Sequence, residues 1–281
     1  MKYGLVLEGG AMRGMFTAGV LDVFMEHGIT FDAAVGVSAG AVFGCNIKSE
    51  QPGRVIRYNT RFCKDKRYCS LRSLIKTGDL FGADFCYREL PFSLDVFDTE
   101  TYRKNPMKFY AVCTELETGL PVYAEVSDGG ENDMKWFRAS ASMPAASTPV
   151  EIDGKKYLDG GMSDSVPLEF IESLGCEKNV VVLTQPSGFV KKRVSFPPVF
   201  KIALRKYPNA YRVMMNRHNV YNAQTAYVAE KENAGTAFVI RPPYPLDIGR
   251  TEHDAEKLKA AYNTGREITE QRLSALAEFL K

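Results

Sequence analysis

Ser38 lies in Ala34-Val35-Gly36-Val37-Ser38-Ala39-Gly40, a Gly-x-Ser-x-Gly pattern entered from an apolar run, Phe31 to Val37, and left through a small-residue helix pattern. A serine hydroxyl is a weak nucleophile until its surroundings activate it. A strand–turn–helix context of this kind lifts the hydroxyl clear of a sheet and sets it at a helix N-terminus, whose amides favour developing negative charge. The turn has to be tight enough to strain the serine backbone, and side chains at Gly36 and Gly40 would strike neighbouring chain.

A second glycine-rich turn, Glu8-Gly9-Gly10-Ala11-Met12-Arg13-Gly14, follows the apolar run Leu5-Val6-Leu7. Such a turn aims several backbone N–H groups in one direction, which suits a phosphate or an oxyanion. A dinucleotide site is the poorer fit, because Ala11 takes the place of the middle glycine and Asp32 begins the second strand instead of ending it. No Gly-Lys-Ser/Thr follows, so a Walker phosphate loop fails as well. The first two strand-to-helix turns of a parallel sheet lie side by side at its carboxyl edge. The amides of Gly9, Gly10 and Ala11 can therefore face Ser38 as an oxyanion hole.

The serine needs a base, and the chain has three histidines. His27 ends a helix pattern ahead of Gly28 and reads as a surface residue favoured by the helix dipole. His218 falls mid-helix by pattern. His253 is the competitor, because it follows a strand pattern and a proline-rich loop, where an α/β-hydrolase keeps its histidine. Against it, Ser38 ends the second strand, which leaves no room for the strands that usually precede such an elbow. The alternative is Asp159, delivered by a hairpin pattern, Val150 to Tyr157, onto Gly160 and Gly161, where a carboxylate can approach another backbone closely.

The elements that must position these groups follow from periodicity. Strands are expected near 4–8, 32–37, 107–114, 120–126, 178–184 and 236–241, and helices over 14–27, 39–48, 51–64, 166–174, 203–231 and 253–280. That mixture is an α/β core with a helical C-terminal part. The weakest point is 185–198, where Gln185-Pro186-Ser187-Gly188 and Pro197-Pro198 break the pattern. Residues 1–185 are thus expected to form the core and 186–281 a mainly helical extension.

At 281 residues and 45% hydrophobic content the chain can bury one sizeable core. The six cysteines show neither a Cys-x-x-Cys pair nor histidines at metal-ligand spacing, so free thiols in a reducing compartment are expected and no metal. A start directly into a strand argues against a signal peptide, and no apolar run is long enough for a membrane span. Val190 to Arg217 carries eight basic residues and no acidic one, among Phe196, Phe200, Tyr207 and Tyr211. It reads either as a solvated face or as a surface that meets anionic lipid. A net charge of +2 gives no reason to expect a nucleic-acid partner.

Three stretches, Glu8 to Gly14, Gly36 to Gly40 and Asp159-Gly160-Gly161, occur in the order and spacing of patatin-like phospholipases. Ala139 through Pro149 resembles the segment that family carries before its aspartate, and Thr114 to Gly119 resembles its central strand end. The resemblance spans about residues 4 to 172. It departs at Ala11, where the family often has a third glycine, and around Ser147, where an aromatic residue is common.

What the resemblance implies is a three-layer patatin-like core with a central, mostly parallel sheet, carrying a Ser38–Asp159 dyad without histidine. Gly9, Gly10 and Ala11 would hold the oxyanion, Arg13 would orient that loop or the substrate head group, and Gly14, Gly36, Gly40, Gly160 and Gly161 would shape the turns. The expected activity is hydrolysis of a lipid carboxylic ester through an acyl-enzyme, with no cofactor, in a cytoplasmic protein able to touch an anionic membrane. Two alternatives stay open: a histidine-assisted esterase or thioesterase, and a catalytically silent lipid-binding protein.

Overall fold

The computed structural model describes residues 1–281. Eight strands form one sheet: β1 (Tyr3–Leu7), β2 (Ala33–Val37), β3 (Lys108–Glu115), β4 (Pro121–Val126), β5 (Val150–Ile152), β6 (Lys155–Asp159), β7 (Lys178–Val182) and β8 (Ala237–Ile240). Their order is β5-β6-β3-β2-β1-β7-β8, with β4 pairing β3 off that path. The five strands from β3 to β8 are parallel, and β4, β5 and β6 are antiparallel additions.

Ten helices surround the sheet: α1 (Gly14–Glu26), α2 (Ala39–Lys48), α3 (Arg54–Phe62), α4 (Leu71–Thr77), α5 (Thr99–Lys104), α6 (Glu131–Ala141), α7 (Leu168–Ser173), α8 (Pro197–Ala203), α9 (Pro208–Asn233) and α10 (Ala255–Phe279). A π-helical stretch, Phe85–Leu94, contains Pro91.

The parallel strands read as continuous apolar runs because both faces are covered. Leu5 and Leu7 point to a core shared with Phe16, Phe24, Phe109 and Phe137, under α1, α2, α6 and α10. Val6, Val35 and Val112 point the other way, toward Leu168 and Ile171 of α7 and Tyr221 and Val228 of α9. Each such buried side chain contributes roughly 1.5–3 kcal/mol from apolar burial.

The expected strands and the first two helices are all present within a few residues of their expected ends. The segment 64–105, for which no element was expected, folds as two short helices and the π-helical stretch. The chain beyond residue 185 is mainly helical and also supplies an edge strand, because β8 pairs in parallel with β7.

Candidate active site

Ser38 is the N-cap of α2, with φ 54° and ψ −121°. A non-glycine residue with that positive φ is strained, and the surroundings must hold it there. A Cβ at Gly36 would lie 2.5 Å from the Gly40 carbonyl, and one at Gly40 would lie 2.3 Å from the Leu7 carbonyl, so the elbow closes only with glycine at both places. The Ser38 amide donates to Ser140 Oγ at 2.9 Å.

Asp159 ends β6, and Gly160 and Gly161 follow in a single 3-10 turn. Its amide donates to the Ser142 carbonyl at 2.9 Å, and its carbonyl accepts from the Thr114 hydroxyl at 2.9 Å. The carboxylate accepts the Gly161 N–H at 2.7 Å and lines the same cavity as Ser38. Ser140 and Ser142, at the C-terminal end of α6, thereby tie both halves of the pair to one helix. That positioning role was not read from the sequence, although Ala139-Ser140-Ala141-Ser142 was the place to look. Burial raises the pKa of Asp159 above the ordinary carboxylate value, and the Arg217 charge and the Ser38 and Gly161 hydrogen bonds oppose that rise. The carboxylate is therefore a stronger base than one in water.

The first turn lies against the elbow, since a Cβ on Gly9 would come within 3.1 Å of Ser38 Cβ. The amides of Gly9, Gly10 and Ala11 donate to no acceptor within the protein. Ala11 sits at φ 48°, a conformation more comfortable for the glycine it replaces. Gly14 packs on Ala39 and Phe43 at the start of α1. The loop is fixed by Glu8, whose buried carboxylate accepts from Thr184 N at 2.6 Å, Thr184 Oγ1 at 3.1 Å and Tyr221 Oη at 2.9 Å. Glu8 and Tyr221 are far apart in sequence, and nothing local to either pointed to the other.

All three histidines lie away from this pair. His27 caps α1 near Glu270, at 3.5 Å, and His218 Nδ1 meets the Met215 carbonyl on its own helix. The His253 ring is directed at the Cys63 carbonyl. Its place after β8 matched a hydrolase histidine in order but not in space. The basic stretch also divides: Lys192, Arg205 and Lys206 are exposed, whereas Lys191 turns inward over the Tyr221 ring at 3.9 Å and lines the same cavity as Ser38. Lys191 is thus not part of an outer lipid-facing surface.

Two cavities meet at Ser38, sharing Ala11 and Met143. One is apolar, with seventeen hydrophobic residues of twenty, among them Val42, Phe43, Tyr87, Leu90, Phe137 and Met134. The other holds Gly9, Gly10, Arg13, Asp159, Lys191, Arg217 and Arg250.

A mostly parallel sheet flanked by helices, with a serine on a strained strand-to-helix turn at its edge, is an α/β architecture of the patatin-like kind. The family model for patatin-like phospholipases matches residues 5–171, and the chain belongs to that family. As a member it is a lipid acyl hydrolase in the broad sense. Residues 207–281 match a domain of unknown function.

The chain is 27% identical to the uncharacterized protein YjjU of Escherichia coli over 94% of its own length and 75% of that protein. It is 25% identical to the lysophospholipase NTE1 of Candida glabrata over 98% of its length, but spans only 16% of that much longer protein. VipD of Legionella pneumophila is a distant structural likeness, at 15% identity and a TM-score of 0.47, covering 98% of this chain and 67% of that one.

Proposed function

We propose that the chain hydrolyses a carboxylic ester of a lipid through an acyl-enzyme. Ser38 Oγ attacks the acyl carbonyl while its proton passes to the Asp159 carboxylate. The amides of Gly9, Gly10 and Ala11 hold the tetrahedral oxyanion, and Arg13 orients that loop or the leaving head group. Collapse expels the alcohol with the proton from Asp159, leaving Ser38 acylated. Asp159 then takes a proton from water, which attacks the acyl carbon, and returns that proton to the leaving Ser38 Oγ as the acid is freed. Residues 1–185 are the catalytic core, and 186–281 is an extension packed on it.

One observation carries the reading: the strained Ser38 and the Asp159 carboxylate line one cavity with Gly9, Gly10 and Ala11. The apolar cavity is suited to the acyl chain. The name of the yeast lysophospholipase agrees with this substrate class. The placement of His253 leaves the histidine-assisted alternative without a nearby base. The intact pair disfavours a silent binder. We place the protein in the cytoplasm, where it touches the membrane peripherally.

A fluorophosphonate probe tests the chemistry. Wild type is expected to be labelled and Ser38→Ala not, and purified wild type is expected to release fatty acid from lipid extracts. Absence of labelling in folded wild type overturns the reading.

A further inference from the structure

The cationic cavity carries more charge than the ester chemistry needs. Arg13 comes from the first turn, Lys191 from the loop after β7, Arg217 from α9 and Arg250 from the loop between β8 and α10. Three of the four lie beyond the patatin-like match, and Arg217 and Arg250 lie in the segment matched only by the domain of unknown function. None of the four is in an ion pair. The Nε atoms of Arg13 and Arg217 are buried without any hydrogen-bond partner.

The nearby carboxylates are already engaged. Both oxygens of Glu8 are taken by Thr184 and Tyr221. Asp159 is the single carboxylate on the cavity wall, and it faces Ser38 and Gly161. Arg13 and Arg217 are half-buried and Arg250 is exposed at the mouth, and a guanidinium nitrogen buried without a partner is costly. Arg54, buried on the other side of Ser38, shows the usual solution: it donates to the Asp95 carbonyl and Asn46 and pairs with the Asp95 carboxylate at 3.3 Å. On the cationic side no second carboxylate lines the cavity to fill that place. The crowding is sufficient to push Lys191 down to about 7, chiefly through burial and next through Arg217.

We propose that Arg13, Lys191, Arg217 and Arg250 form an anion subsite that receives the phosphate of a phosphomonoester lipid head group while its acyl carbonyl lies at Ser38. The inference rests on the reading of Ser38 as an acyl-hydrolase nucleophile and assigns the C-terminal segment a role in substrate choice. Guanidinium forks match phosphate oxygens in pairs, and a dianion suits several convergent cations. A choline or ethanolamine head group would bring its ammonium among like charges, with no free carboxylate to receive it.

The test compares kcat/KM on 1-acylglycerol 3-phosphate, the corresponding phosphocholine and the uncharged monoacylglycerol, all with one acyl chain. The phosphomonoester is expected to be preferred by about tenfold or more over the phosphocholine lipid, and Arg250→Met and Arg217→Met are each expected to cut that preference about tenfold. Arg250→Lys is expected to restore part of it. Calorimetry on Ser38→Ala reads the subsite without turnover, using the phosphomonoester lipid and inorganic phosphate as separate probes. Binding of either probe that weakens in Ser38→Ala/Arg250→Met supports the subsite, and phosphate binding alone shows that the head group suffices. Equal kcat/KM on the three lipids, or a preference that both methionine variants retain, overturns it while leaving the hydrolase reading intact. Failure of the fluorophosphonate test sinks the hydrolase reading, and the calorimetry still decides whether an anion binds.

Discussion

On one side of Ser38 the wall is Val42, Phe43, Leu90, Phe137 and their neighbours, and its one buried charge, Arg54, is neutralised by Asp95. On the other side Arg13, Lys191, Arg217 and Arg250 face the same serine with no ion-pair partner. The difference shows how a single nucleophile can be placed at a phase boundary within one molecule. On the proposed reading, an acyl tail leaves water on the apolar side and a charged head finds donors on the cationic side. Ser38 lines both cavities and Asp159 the cationic one, and α2, β6 and α6 hold the two residues.

The largest expected effect comes from removing the pair itself. Ser38→Ala and Asp159→Ala are each expected to lower kcat by about 10⁴ or more, and the double variant little further, because the two act as a unit. His253→Ala is expected to stay within about a few-fold of wild type, since its ring meets Cys63, away from Ser38. Steady-state kinetics on a soluble ester measures all four. A His253→Ala protein as inactive as Ser38→Ala would remove the boundary picture altogether. Next in size is Gly10→Val. A Cβ at Gly10 meets Thr184 Oγ1 at 2.7 Å, so the side chain displaces the loop and its amides, and kcat is expected to fall by about 10².

Much of the central pair was legible in the sequence because its signals are local. The Ser38 elbow, the Gly9–Ala11 turn and the Asp159-Gly160-Gly161 turn each announce themselves within a few residues, and β1, β2 and β6, the last paired to β3 beside β2, carry them. The two walls were far less legible. The roof of the apolar cavity comes largely from 68–97, where short helices and a π-helical stretch leave no sustained period. The Glu8–Tyr221 bond joins the turn after β1 to α9, which only the fold brings together. Lys191 and Lys192 are adjacent and chemically alike, yet one points inward and the other outward, a distinction that composition does not carry.

The apolar wall can be sharpened by filling it. Val42 is the first lining residue of α2 that is neither catalytic nor fully buried, and Val42→Trp places a ring where the tail is expected to run. The ratio of kcat/KM for a palmitoyl over a butyryl ester is expected to fall about tenfold, the scale of a few methylenes losing their burial. An unchanged ratio would place the tail elsewhere.

The cationic wall also tunes the base. Asp159 must be ionised to accept the Ser38 proton, so activity is present above its folded pKa and lost as pH falls through it. Burial raises that pKa and Arg217 is the first influence holding it down, so Arg217→Met is expected to move the ascending limb of the kcat/KM profile to higher pH. The wild-type limb is expected above the usual carboxylate value of about 3.9. A limb that stays in place, or moves down, would separate Arg217 from the base.

The smallest effect concerns α8, at the rim of the cationic cavity, as a surface proposed to meet the membrane. α8 buries none of its residues and exposes Val199 and Ile202, with Phe196 just before it and Lys192, Arg205 and Lys206 nearby. Apolar side chains among basic ones suit the head-group region of an anionic bilayer, and Phe200 of the same helix lines the cationic cavity, so docking there sets the Ser38 site against lipid. Each basic residue near such a surface is worth about 1 kcal/mol, so Lys192→Gln, Arg205→Gln and Lys206→Gln are each expected to weaken vesicle binding about fivefold at low salt. The loss is expected to shrink as salt rises, because screening already removes the attraction in wild type. Lys191→Gln is expected to differ. Its side chain lies inside, so it should leave sedimentation with anionic vesicles close to wild type while reducing turnover of the phosphomonoester lipid. Co-sedimentation beside a lipid-hydrolysis assay makes the comparison. Four variants that behave alike would mean that no inner and outer division of these lysines and arginines exists.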